Sequence, residues 1–277
     1  MTPAEVAIGR LVVCPTPIGN LEDVTLRVLA VLGEADVVAC EDTRHTKVLL
    51  DRYELNPSLV SFHEHNERAR AGELVARIAQ GAVVALVSDA GTPLLSDPGF
   101  ALVRACLREG LPVEVLPGPS AILMALVASG LPLERWRFVG FLPRKRAELD
   151  AVLASASETL VAFESPRRLA GTLRALAGSD PDRPVAVCRE LTKLHEEVRR
   201  GGASELAEHY GANPPRGEIV LVVGAAPPGQ ARRDEALEVL RELLDAGARA
   251  RPAAAAVSRL TGVRANELYR ELKSDGQ

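Results

Sequence analysis

The stretch Val83-Val84-Ala85-Leu86-Val87-Ser88-Asp89-Ala90-Gly91-Thr92-Pro93 decides the fold. Its first part is a β-branched apolar run, predicted as a strand over Val83–Ser88, and its second part is a Gly/Pro turn that puts a carboxylate at the strand's end. The same unit recurs on both sides. Strands are expected at Leu11–Cys14, Val37–Cys40, Leu59–Phe62 and Val113–Leu116, with helices over Asp23–Leu32, Thr43–Arg52, Glu67–Ala79, Phe100–Arg108 and Ser120–Ala128. Strands alternating with helices give an α/β fold with a largely parallel sheet. A second series follows at Phe138–Gly140, Leu160–Phe163, Val185–Cys188, Val198–Arg199 and Glu218–Val223, with helices at Lys145–Ala154, Pro166–Ala177 and Ser204–His209. Two series imply two sheets and two α/β domains.

The segment Gly224–Arg233 has the Pro/Gly/Ala composition of a linker. Beyond it the pattern is helical, over Asp234–Ala246, Arg251–Leu260 and Asn266–Lys273, with a tight turn at Gly262 in the manner of a helix-turn-helix. The expected division is 1–117, 118–226 and a helical extension, 227–277.

Composition narrows the function. The 277 residues hold only 5 Phe, 3 Tyr and 1 Trp, and none are clustered, which argues against a reader of single-stranded nucleic acid that stacks bases on an aromatic sheet. A net charge of −4 excludes a globally basic nucleic-acid coat. The cysteines, Cys14, Cys40, Cys106 and Cys188, contain no C-x-x-C pair and read as free buried thiols of a reducing compartment. No secretory signal is expected at the N-terminus. The longest uncharged stretch, Val115 to Leu133, is broken by Pro117, Gly118, Pro119 and Pro132, so it reads as loop plus buried helix and not as a membrane span.

No two glycines are two apart, so the G-x-G loops of the usual dinucleotide fold and of common methyltransferases are absent, as is the P-loop. Chemistry is expected instead at stiff turns after the strands. The first is Pro15-Thr16-Pro17-Ile18-Gly19, leading to Asp23 as a helix cap. Glu41-Asp42-Thr43-Arg44-His45 groups two carboxylates, a guanidinium and an imidazole, suited either to capping a helix or to orienting and deprotonating a polar substrate. Asp89 and Thr92 lie on the third turn, followed by Ser96-Asp97-Pro98-Gly99. Leu116-Pro117-Gly118-Pro119-Ser120-Ala121 opens an apolar helix whose free N–H groups suit a carboxylate. Phe163-Glu164-Ser165-Pro166-Arg167-Arg168 and Arg189-Glu190-Leu191-Thr192-Lys193 complete the set. His63-Glu64-His65 has no third ligand nearby, and no metal is expected. Two basic segments stand against the acidic average, five cations from Arg135 to Arg146 and six from Arg249 to Lys273, and point to a phosphate-rich partner such as RNA.

The ordered motifs PTPIGNLEDVTLRVL (15–29), EDTRHTKVLL (41–50), FHEHNE (62–67), VALVSDAGTPLLSDPG (84–99), LPGPSA (116–121), GFLPRK (140–145), FESPRRL (163–169), RELTKLHEE (189–197) and GEIVLVV (217–223) resemble the ribosomal RNA small-subunit methyltransferase I family of the tetrapyrrole methylase (class III) superfamily. Two positions depart from its pattern, Arg167 where the family often has His and Cys40 where it often has Ala. The resemblance implies a cytoplasmic homodimer that uses S-adenosylmethionine to methylate the ribose 2′-OH of a cytidine in the decoding region of 16S rRNA, within the small subunit. It places cofactor contacts on Pro15, Asp89, Thr92, Ser120, Ala121, Phe163 and Leu191. Glu41 or Asp42 is the expected base, with Arg44 and Lys193 holding phosphate or developing charge. Three alternatives stand beside it: a tetrapyrrole C-methyltransferase, a non-enzymatic RNA-binding protein and a helix-turn-helix DNA regulator.

Overall fold

The computed structural model describes residues 9–226 and 230–274. The outer parts of the expected ranges, 1–8, 227–229 and 275–277, lie outside them, as does the side chain of Lys273.

The first sheet contains β1 (Arg10–Val13), β2 (Val37–Cys40), β3 (Leu59–Ser61), β4 (Val83–Val87) and β5 (Val113–Val115), in the order β3-β2-β4-β1-β5 and parallel throughout. Alternation along each strand sends neighbours to opposite faces. Val12 and Cys14 of β1 and its end pack with Val38, Cys40, Ala85 and Val87 under α1 (Leu26–Glu34) and α2 (Thr43–Arg52). Leu11 and Val13 pack with Val37, Ala39, Val84 and Leu86 under α3 (Glu67–Ala79) and α4 (Phe100–Arg108). A sheet covered on both faces needs continuous apolar strands, which is why VVALV reads as it does.

One helix starts later than expected. Asn20 caps a short 3-10 turn over Leu21–Asp23, and Thr25, whose hydroxyl accepts the Val28 N–H at 3.2 Å, caps α1 in place of Asp23.

The second sheet contains β6 (Trp136–Phe141), β7 (Thr159–Glu164), β8 (Pro184–Arg189), β9 (Glu197–Gly202) and β10 (Ile219–Val223), in the order β6-β7-β10-β8-β9. Only β6 and β7 run parallel; the other pairs are antiparallel. One face packs on α6 (Arg146–Ala154), α7 (Pro166–Ser179) and α8 (Ala203–Ala212) through Leu153, Leu169, Leu173, Leu206 and Leu221. The other face receives α5 (Ala121–Ser129) through Ile122, Ala125 and Leu126, joined by Ile18 from the first turn. The helix expected to be buried is buried on this side only, since Leu123 (52%) and Val127 (71%) are exposed. A helix apolar all round gives no periodicity from which its free face can be read.

The C-terminal helices α9 (Gln230–Asp245), α10 (Ala250–Thr261) and α11 (Ala265–Ser274) enclose a core of their own, built from Leu237, Leu240, Ala254, Val257, Val263 and Leu268. Gly262 ends α10 in the left-handed region, φ 76°. No helix among the described residues is long and apolar enough to cross a membrane.

Candidate active site

The turns that follow the strands of the first sheet are stitched to one another. Thr16 and Gly91 exchange backbone hydrogen bonds of 2.9 and 3.0 Å, and the buried Thr16 hydroxyl donates to the Ser88 carbonyl at 3.0 Å. Thr92 donates to the Pro119 carbonyl at 3.2 Å. Pro15 is buried beneath the fourth turn, so close that a Cβ on Gly118 would lie 2.6 Å from its ring. Ser120 caps α5 by accepting the Leu123 N–H at 3.4 Å.

Where these turns face the second sheet they enclose a cavity of about 380 Å³. Its apolar walls are Ile18, Ile122, Leu191, Ile219 and Val220, with Phe141 and Phe163 at one side. Polar groups enter at Thr92, Ser96, Asp97, Ser120, Glu164 and Glu218. Of the residues expected to hold a cofactor, Thr92, Ser120, Ala121, Phe163 and Leu191 line it. Pro15 and Asp89 do not; Pro15 acts through packing, and Asp89 borders a second hollow of about 200 Å³ with Thr16, His45, Thr46 and Ser88.

The four residues expected to carry chemistry fall into two places, and none is in the cavity lining. Asp42 caps α2, accepting the Arg44 N–H at 2.9 Å and the Arg44 guanidinium at 2.7 Å. The side-chain hydrogen bond from Arg44 is the main reason its pKa is held down to about 2. A carboxylate so stabilised is a weak base. Its own backbone N–H donates to Asp89 at 3.0 Å. Glu41, next door, has its pKa raised, first by burial and then by the charge of Asp89. Lys193 belongs to the second half, where it pairs with Glu190 at 3.0 Å and Glu218 at 2.9 Å. Burial opposes its charge, but the hydrogen bonds to those two carboxylates outweigh it and raise its pKa.

Asp97 is the group that residue spacing did not single out. It reaches the cavity because the chain before it is bent through the left-handed region at Leu94 (φ 75°) and Ser96 (φ 72°). Non-glycine residues in that region carry strain, which is concentrated at functional loops. Gly99 closes the loop by donating its N–H to Glu67 at 3.1 Å. Burial, then the charges of Glu41 and Asp89, push the Asp97 pKa up to about 6. Glu164, a further acid of the lining along with Glu218, is fully buried, accepting from Thr172 at 2.6 Å and the Ser165 N–H at 2.7 Å. Among the described residues no His/Cys/Asp/Glu group is arranged to hold a metal.

The chain matches a family model described as Tetrapyrrole (Corrin/Porphyrin) Methylases over residues 10–207. It is 46% identical to a ribosomal RNA small subunit methyltransferase I of Mesorhizobium japonicum, across 98% of this chain and 93% of that protein. A protein of the same name from Thermotoga maritima is 46% identical over 218 residues, 78% of this chain and 98% of the relative. Among solved structures, a uroporphyrin-III-C-methyltransferase from Thermus thermophilus superposes with a TM-score of 0.57 at 28% identity, across 78% of this chain and 94% of that one. The parallel sheet with stitched strand-end turns, the composite cavity and these similarities together place the chain in the ribosomal RNA small subunit methyltransferase I family of the tetrapyrrole methylases.

Proposed function

We propose that this protein transfers a methyl group from S-adenosylmethionine to the ribose 2′-hydroxyl of a cytidine in the decoding region of 16S rRNA, acting on the small ribosomal subunit as a homodimer. The observation that carries the reading is the composite cavity of about 380 Å³ with Asp97 on its wall. Its donor set fits the methyl donor. Apolar walls at Ile18, Ile122 and Val220 suit an adenosine, Asp97 and Glu218 suit a sulfonium, and the capped N-terminus of α5 at Ser120 suits a carboxylate. When bound, S-adenosylmethionine supplies an electrophilic methyl group, so the protein's main task is to align the hydroxyl.

Asp97 takes the role of proton acceptor in this scheme, with Glu41 behind it. A sugar hydroxyl is a poor acid, and a base with a pKa of about 6 is ionised at neutral pH yet stronger than an ordinary carboxylate. Asp42 serves to cap α2 and to hold Arg44, which is 90% exposed and placed to meet a phosphate. Lys193 bridges Glu190 to Glu218 at the cavity's edge and thereby positions that edge. The exposed apolar face of α5, with Leu123 and Val127, supports the dimer. Domain limits near 1–117, 118–226 and 227–277 follow from the same reading.

The test is transfer of a tritiated methyl group to purified small subunits and to free 16S rRNA, followed by digestion to nucleosides. Label recovered in 2′-O-methylcytidine is the expected result. Label on a base, or transfer only to a tetrapyrrole, would overturn it.

A further inference from the structure

Three of the five phenylalanines meet beside the cavity, in a chain that is otherwise poor in aromatic side chains. Phe138 and Phe141 both lie on β6 and both touch Phe163, with ring centroids 5.1 and 5.4 Å away. Three residues apart on a regular strand, they would point to opposite faces. The strand is not regular there: Phe138 pairs with Val161 and Phe141 with Phe163, so β6 spends one residue more than β7 over the same span. Gly140, at φ 66°, absorbs the extra residue, as is common in bulges that re-aim a side chain. The result is a ring that lines the cavity and is nevertheless 63% exposed, while Phe138 and Phe163 are half-buried behind it.

The segment that follows this ring and the turn that follows Phe163 carry cations. Arg168 of α7 donates to the carbonyls of Leu142 and Pro143, at 2.9 and 2.7 Å, and its Nε lies 3.4 Å from the buried Glu164 carboxylate. That strut fixes the segment after Phe141 against the first turn of α7. Arg144 on the segment and Arg167 on the turn are both exposed, and neither forms an ion pair among the described residues. An exposed aromatic ring with unpaired arginines on the adjoining segments is the chemistry of a nucleotide: a base stacks on the ring, and its phosphates meet the arginines.

We propose that Phe141 is the stacking platform for the base of the nucleotide being methylated, with Arg144 and Arg167 engaging the flanking phosphates. The inference rests on the RNA methyl-transfer reading and names the part of the surface that receives the nucleotide. A ribose inside a folded rRNA is accessible to a recessed cavity only if its nucleotide is drawn out of its stack, and an aromatic at the lip replaces the stacking given up. This also accounts for the bulge, since a regular β6 would turn Phe141 toward the α6 and α7 layer.

The test uses the full-length protein. Phe141→Ala and Phe141→Leu are each expected to lower kcat/KM for small subunits by about 10- to 100-fold, because Leu keeps apolar bulk and loses the π face. Phe141→Trp is expected to keep most of the activity, and because the ring also lines the cavity, S-adenosylhomocysteine affinity, measured by calorimetry, is expected to fall in Phe141→Ala and Phe141→Leu by far less than kcat/KM for small subunits does. Phe141→Trp in a Trp136→Phe background leaves one indole, at the lip, and its fluorescence is expected to be quenched when small subunits are added. Unchanged kcat/KM in Phe141→Ala, a matching loss of S-adenosylhomocysteine affinity, or a shift from dimer to monomer would each overturn the proposal. The nucleoside digest keeps the two readings apart. Quenching with label on a base defeats the ribose assignment and leaves the platform standing; ribose label with unaltered Phe141→Ala kinetics does the reverse.

Discussion

Between the ordinary aspartate value of 3.8 and about 6, the folded protein holds a proton at Asp97 that the unfolded chain has released, because burial, Glu41 and Asp89 all raise its pKa. The native state binds more protons in that window, so this group's contribution to stability falls as pH rises through it. Above it, the ionised carboxylate opposes folding. Asp97→Asn is therefore expected to stabilise the protein by about 1 kcal/mol at pH 7.5, after allowance for solvent screening, and by less at pH 5. Urea denaturation at the two pH values checks this, and the same variant is expected to lose most methyl transfer. Gly118→Ala tests the packing beneath the first turn. Its Cβ would lie 2.6 Å from Pro15, and the variant is expected to lose about 1–3 kcal/mol and to bind S-adenosylhomocysteine more weakly, read by thermal melts and calorimetry. At this scale the sequence is legible where a place in the cavity wall follows from a turn's own residues, as at Thr92 and Ser120. Asp97 escapes because two left-handed residues fold it back onto the cavity, and Phe141 because a bulge reverses its face.

Among the elements, strand positions are legible from β-branched runs, but direction is not, since a run such as IVLVV reads the same whichever way its neighbours point. The antiparallel pairing of β10 with β7 and β8 becomes apparent only in the fold. Helix starts depend on competition between caps, and α1 begins after Thr25 because Asn20 has already closed a turn of its own. The free side of α5 is equally hidden in a helix that is apolar all round. It carries Leu123, Met124 and Val127, and the double variant Leu123→Ser, Val127→Ser is expected to sediment as a monomer with unchanged far-ultraviolet circular dichroism.

At the scale of the whole molecule, the C-terminal helices form a core separate from the four clusters of the two sheets. The Thermotoga relative is matched over 98% of its length by 218 residues, 78% of this chain. A chain ending at residue 226 is therefore expected to fold and to bind S-adenosylhomocysteine as before. Its affinity for small subunits is expected to drop, because Arg249, Arg251, Arg259, Arg264 and Arg270 are all exposed on the part removed. Every phosphate that the shortened chain no longer neutralises flattens the logarithmic salt dependence by about 0.7–0.9, and filter binding across a salt series measures it.

The four cysteines offer a separate handle on how the two halves open. All are buried; Cys14, Cys40 and Cys106 sit in the layers of the first sheet, and Cys188 sits in β8. Burial, helped by the charge of Glu114, pushes the Cys14 thiol up to about 12, and burial is the main cause that raises Cys188 to about 11. A thiol reagent therefore reacts only when the surrounding layer opens. With no cysteine beyond position 188, the labelling rates of Cys14 and Cys188 clock the opening of one half and of the other. A ligand gripped by both walls of the cavity slows the two clocks together, whereas one held by a single half slows only its own.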